Sequence, residues 1–276
     1  MNPLRHHFEL PLPFDEFRVW EQRVRSVLMQ AGIERACIDV LEYVCTEMLN
    51  NVLDHSGATL VNVGFDWSAS AVEMTISDNG RGLFFAVRQA LQLESDADAA
   101  LLLLKGKVTT DPARHTGEGL FFSSRACDEF SLRSMGLALS MQRSDARWRH
   151  AAPGANVDGT QIHFSVGRAQ TPALADIFAR FCPHPELRFT RTEVSVFLLV
   201  QTDGALVSRS QGKRLVRGLS EFTAVSFDFT GVDAIQQGFA DEVFRVWGRS
   251  HPQIAISVLG INDTVAGMLR HVGFDA

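Results

Sequence analysis

Glu47-Met-Leu-Asn-Asn51-Val-Leu-Asp-His55-Ser56, Ser77-Asp78-Asn-Gly80-Arg-Gly82-Leu83 and His115-Thr116-Gly117-Glu118-Gly119-Leu120 follow one another in the first half of a 276-residue chain. The first closes a stretch, residues 36–55, that contains neither Pro nor Gly. Within it Ile38, Leu41, Cys45, Met48 and Val52 recur at three and four residues, the spacing of a helix with one buried stripe. Glu47, Asn51 and His55 are four apart on a neighbouring stripe, flanked by Asn50 and Asp54. A carboxylate and a carboxamide thus stand about one helical turn apart. The second segment ends an alternating, β-branched run, Val72–Ser77, which reads as a strand. A carboxylate leaving a strand end, as Asp78 does, can accept a hydrogen bond from an exocyclic amine. Gly80 and Gly82 let the backbone turn sharply there and approach a ligand closely. In the third, Gly117 and Gly119 open an apolar helical stretch, Leu120–Cys127. The N–H groups at a helix start favour anions, so both glycines can cradle phosphate.

In this order and spacing the three segments resemble the N box, G1 box and G2 box of the GHKL ATP-binding superfamily (gyrase, heat-shock chaperone, histidine kinase, mismatch repair). The resemblance implies ATP and Mg²⁺ as cofactors. It assigns metal binding to Asn51, general-base work to Glu47 and reading of the adenine amino group to Asp78. It carries nucleotide contact to His55, Gly80, Gly82, Thr116, Gly117, Gly119 and Leu120. An Asn oxygen suits Mg²⁺, which prefers hard oxygen ligands and keeps several waters. A Glu one turn away can polarise an attacking water or hydroxyl. Between the G1 and G2 boxes lies a basic, polar stretch from Lys105 to His115 with a Gly and a Pro. It fits a lid that closes over the triphosphate, with Lys107, Arg114 and His115 as unranked phosphate contacts.

The remaining strand signals in this half are Val61–Trp67, a hairpin of Phe130–Met135 and Ala138–Arg143 around Gly136, and Thr160–Val166. The fold class is therefore α/β (α+β), an α/β sandwich with a mixed, largely antiparallel sheet and helices on one face. A parallel dinucleotide-binding sheet does not fit, because strands follow one another without intervening helices.

Composition agrees with a globular chain. Hydrophobic residues make up 46%, ample for packed cores. A net charge of −6 argues against a broad nucleic-acid surface. Cys37, Cys45, Cys127 and Cys182 lie scattered in apolar contexts without a metal-binding spacing, which reads as reduced core thiols. No run is apolar enough to span a membrane and no signal peptide is evident, so the expectation is a cytoplasmic protein.

Gly167–Pro172 marks a boundary. The expected organisation is a nucleotide-binding domain over 1–168, a connector over 169–186 with a short helix Pro172–Phe181, and a second domain over 187–276. In that half Glu193–Val200, Ala224–Phe229 and Ile254–Leu259 read as strands. Ser210–Leu219, Gly238–Trp247 and Asp263–Val272 read as helices, giving a small sheet covered by helices. The segments Leu206-Val-Ser208-Arg209-Ser210-Gln211 and Phe239-Ala-Asp241-Glu242-Val-Phe244-Arg245-Val resemble the STAS-like domain found beside ATP-binding modules in bacterial proteins. True STAS domains of the anti-anti-sigma type carry a phosphorylatable hydroxyl. The matching stretch here, Gly231–Phe239, has none. Ser208 reads as a helix cap, and Asp241, Glu242 and Arg245 as an ion-pair face or a partner surface.

These readings converge on a regulatory ATP-binding protein acting on a protein partner of unnamed identity, with a homodimer as an option. Three activities are carried forward: ATPase, serine/threonine kinase of the anti-sigma type, and histidine kinase. No phosphoacceptor-histidine helix pair precedes the N box, which weakens the last. The alternative is an ATP-dependent conformational switch or scaffold without phosphotransfer.

Overall fold

The computed structural model describes residues 6–109, 116–152, 157–169, 171–183 and 188–275. They form two compact units. Described residues up to Ala99 and from Thr109 to Phe178 make the first; Ala100–Val108 and those from Ala179 onward make the second.

The first unit is built on seven strands: β1 (His6–Pro11), β2 (Leu60–Trp67), β3 (Ala71–Asp78), β4 (Glu129–Ser134), β5 (Leu137–Gln142), β6 (Arg147–His150) and β7 (Thr160–Gly167). Their order is β1-β2-β3-β7-β4-β5-β6, and every neighbouring pair is antiparallel. Period-two alternation turns Val63, Ile76, Ile162, Leu132 and Leu139 to one face. The register joins them into a single buried rung across five strands. Burial of each such side chain contributes roughly 1.5–3 kcal/mol. The edge strands β1 and β6 escape the sequence reading. Each pairs on one side only, and both are rich in polar residues, so neither shows the apolar alternation that marks an inner strand.

The helix Arg35–Asn51 covers this sheet, burying Cys37, Ile38, Leu41, Val44, Cys45 and Met48 along one stripe. A second helix, Gly119–Ala126, packs against it. Phe178 closes the pair, with ring centroids 4.4 Å from Phe122 and 5.5 Å from Tyr43. Past Asn51 the expected α-helix loosens into wider i→i+5 turns over Val52–Ser56 and stops at Gly57, whose φ is +65°. Such wide turns recur at functional sites.

The second unit holds a three-stranded parallel sheet of β8 (Arg191–Ser195), β9 (Ala224–Asp228) and β10 (Ala255–Leu259), with β9 central. Helices Val196–Asp203 and Arg209–Val216 connect β8 to β9, the helical run of residues 237–250 connects β9 to β10, and Asp263–His271 follows. Thr192, Val194, Val225 and Phe227 are buried on one face, whereas Ser226 and Ser257 share a hydrogen bond on the more exposed one. One expectation is corrected here. Glu193–Val200 is not a single strand: β8 ends at Ser195 and Val196–Asp203 is helical. A short apolar run suits a buried helix as well as a strand, and Val196, Leu198 and Leu199 are buried in helical form.

Ser208 caps its helix in a full capping box with Gln211. Asp241 pairs with both Arg245 and Arg209. The Arg245 hydrogen bond first, then the two arginine charges, hold its carboxyl below the usual range against the cost of burial. The Ser208 cap and the Asp241–Arg245 pair are as the sequence suggested, whereas Glu242, read with them, is buried.

Candidate functional site

The inward rung of the sheet changes character at one end. Alternation that buries Val72, Met74 and Ile76 also buries Asp78, which is only 6% exposed. On the neighbouring strands it brings in Thr160 and Ser134, which face each other in the register. A polar row, Asp78, Thr160 and Ser134, thus ends an otherwise apolar face. Burial pushes the Asp78 carboxyl above its ordinary value of 3.8, and backbone N–H groups of Gly80 and Thr160 partly oppose that rise. The Gly80 N–H donates to Asp78 Oδ1 over 2.8 Å.

The same row fixes the loop that follows. Ser134 Oγ and Thr160 Oγ1 each accept from the Leu83 N–H at 2.9 Å, at the first residue of the helix Leu83–Ala90. Ser134 in turn donates to the Gly159 carbonyl. Asn79 holds the other side: its Oδ1 accepts from the N–H groups of Thr59 and Leu60, and its Nδ2 donates to Thr59 Oγ1. Gly80 lies so close to the Ser56 carbonyl that a Cβ there would overlap it, and the Arg81 N–H donates to that same carbonyl over 3.0 Å. Gly159, at φ +75°, is pressed against the Asp78 backbone and carboxylate in the same way. The G1 loop is therefore stapled to the end of the N-box helix and to the start of β7, leaving its glycines no room for side chains.

Glu47 and Asn51 lie one turn apart on the Arg35–Asn51 helix, both half-buried. The Glu47 carboxylate sits at Gly119, where a Cβ would overlap its Oε2. Gly119 is the first residue of its helix, so backbone N–H groups without intrahelical partners cluster at that point. The fold thus sets the Glu47 carboxylate, one turn from the Asn51 carboxamide, against a helix N-terminus. Gly117, at φ +73°, and the exposed Thr116 lead into it, while Leu120 is buried just behind.

The wide turns past Asn51 take His55 out of the four-residue spacing that relates Glu47 to Asn51. Its carbonyl accepts from the Arg81 guanidinium at 3.0 and 3.1 Å. Gly82, at φ +83°, abuts Ser134 and Met135. Lys107 belongs to the second unit, where its ammonium donates to the Glu221 carbonyl over 2.6 Å and lies 4.7 Å from the Phe222 ring centroid. Arg114 and His115 fall outside the described residues.

Sequence reasoning missed Asn79, Ser134, Gly159 and Thr160. Counting the alternation of β3, β4 and β7 to their ends would have found Ser134 and Thr160. Asn79 and Gly159 act through loop contacts distant in sequence, and no local pattern marks them. Among the described residues no group of three or more His, Cys, Asp or Glu could hold a metal by itself, and no helix is long and apolar enough to cross a membrane.

Residues 13–143 match the family model of a histidine kinase-like ATPase domain. Residues 211–266 match that of a STAS-like domain of unknown function. Comparison with curated proteins gives no match. The first match stops before β7, although β7 lies between β3 and β4 in the sheet and begins with Thr160, just after Gly159.

Proposed function

We propose that this chain, a histidine kinase-like ATPase domain followed by a STAS-like domain, is a cytoplasmic Mg-ATP-binding regulatory protein that acts on a protein partner. The observation that carries the reading is the pairing of two features in one domain. A buried Asp78 stands at a strand end beside glycines packed too tightly for side chains, and Glu47, one helical turn from Asn51, stands beside the helix start at Gly119.

In this reading the Asp78 carboxylate accepts from the adenine amino group, and its fixed Oδ1–Gly80 bond keeps it oriented. The N–H groups at Gly119 bind phosphate, since a helix start favours negative charge. Asn51 supplies an oxygen to Mg²⁺. A single carboxamide suits that ion, which commonly takes only one or two protein oxygens plus phosphate and water. Bound Mg²⁺ would neutralise charge on the phosphates. Glu47 then accepts the proton of the attacking water or hydroxyl. Kinase chemistry uses a partner's hydroxyl or imidazole as the nucleophile, and ATPase chemistry uses water.

Incubation of the full chain with γ-labelled ATP and Mg²⁺, with and without cell lysate, tests this. Label on a protein supports a kinase, and free phosphate alone supports an ATP-driven switch. Absence of both label transfer and phosphate release, together with no measurable ATP binding, would contradict the reading.

A further inference from the structure

The G1 and G2 boxes belong to the first unit, yet part of the chain between them does not. Ala100–Val108 packs as part of the second, STAS-like unit. Its attachment there is specific. Lys105 is only 2% exposed, and its ammonium donates to the carbonyls of Arg214 and Arg217 at 3.2 and 3.0 Å. A buried charge is costly unless it is hydrogen-bonded. These two carbonyls lie at the C-terminal end of the helix Arg209–Val216, the negative end of its dipole, where orphan carbonyls need donors. The Lys105 carbonyl accepts from the buried Thr192 hydroxyl at 2.7 Å. Gly106 and Lys107 then both take left-handed backbone, at φ +84° and +58°. That conformation is unfavourable for a lysine, and it aims the Lys107 ammonium at the Glu221 carbonyl and the Phe222 ring. Mere solvent-side packing would require none of these bonds.

We propose that Lys105 and Lys107 fasten the chain between the two nucleotide-binding boxes into the STAS-like unit, making that unit a built-in regulator of the nucleotide site. The inference rests on the nucleotide reading above. On the G1 side the described residues run without a break from Gly82 through the helices Leu83–Ala90 and Asp96–Leu103 to Lys105. In this proposal a movement of the G1 element on binding nucleotide reaches Lys105 through those two helices. Coupling of this kind is reciprocal. If ATP binds better to one arrangement of the stapled segment, a partner that binds the STAS-like unit and prefers that arrangement raises ATP affinity by the same factor. It also gives that unit a regulatory role that needs no hydroxyl within Gly231–Phe239.

The test combines calorimetry with Mg-ATP and hydrogen exchange, on the full chain. Nucleotide should change exchange within 188–275. Lys105→Met should shift ATP affinity by about fivefold or more and abolish that remote change. Thr192→Val, which keeps the side-chain shape but removes the bond to the Lys105 carbonyl, should shift affinity in the same direction. It carries the test should Lys105→Met fail to fold. If folded variants bind ATP as the unaltered chain does, and exchange in 188–275 ignores nucleotide, the staple is only packing and the inference is overturned. If the unaltered chain binds no ATP, the nucleotide reading itself fails and takes this inference with it.

Discussion

The carboxylate of Glu47 fills the space that a side chain on residue 119 would need. Glu47 comes from the N-box helix and Gly119 opens the G2-box helix, so this one juxtaposition sets the proposed base against the proposed phosphate cradle. Gly119→Ala is expected to push the carboxylate aside. Displacements of about 1 Å in catalytic groups cost on the order of 10²-fold in rate. Turnover of the folded variant should fall accordingly in a steady-state phosphate-release assay. A wild-type rate would show that the juxtaposition has no catalytic meaning.

Glu47→Gln separates binding from chemistry. A base acts mainly in the transition state, so turnover should fall by roughly 10²–10⁴-fold while ATP affinity stays near wild type. Asn51→Ala should do the reverse and lose the Mg²⁺-dependent part of the affinity. Calorimetry with and without Mg²⁺, beside a rate assay, reads both.

Asp78 gives the protein a pH signature. Its folded carboxyl is raised above 3.8 by burial, so the folded chain holds this proton in a window where the unfolded chain has released it. Stability contributed by the proton is present at and below 3.8 and is lost as pH rises through the higher folded value. Compared with Asp78→Asn, unfolding free energy should therefore decline across that window. ATP affinity should run the other way, because an ionised carboxylate accepts the amino hydrogen best. It should fall on acidification from a higher pH than an ordinary carboxylate would give. Identical pH profiles for the two proteins would remove Asp78 from the site.

Gly159 should tolerate no side chain. Its φ of +75° is left-handed, and a Cβ would strike the Asp78 backbone. Overpacking and strain of this kind typically cost about 1–3 kcal/mol. Urea unfolding of Gly159→Ala should show a loss of that size, and a neutral result would mean that the G1 loop is less tightly held than described.

The four cysteines should resist alkylation while the chain is folded. All are buried, and burial pushes the Cys45 thiol to about 12, Cys37 to about 11 and Cys127 well above the ordinary range. Thiolate is the reacting form. Mass spectrometry after iodoacetamide should find modification only once the protein is unfolded.

Much of the site was legible because helix and strand periods act locally. The spacing of Ile38, Leu41, Cys45 and Met48 gave the helix and hence the turn between Glu47 and Asn51, and the alternation of Val72, Met74 and Ile76 led to Asp78. What stayed hidden depends on contacts distant in sequence. Asn79 clasps Thr59 and Leu60, and Ser134 and Thr160 together hold the Leu83 N–H. The wide turns after Asn51 break the spacing that had joined His55 to Glu47. The contacts that hold the segment of Lys105 and Lys107 in the second unit were hidden too, because their partners, the carbonyls of Arg214, Arg217 and Glu221, lie a hundred or so residues further along the chain. A run such as Val196–Leu199 cannot declare strand or helix by itself.

The central claim is that the first unit binds ATP through Asp78, and titration calorimetry of Mg-ATP into the full chain and into Asp78→Asn tests it most directly. The expected result is one saturable ATP site in the unaltered chain, weakened in the folded variant by roughly 1.5–3 kcal/mol, the scale of a hydrogen bond to a charged group. Equal affinity in both proteins, or no binding to the unaltered chain, would contradict the account.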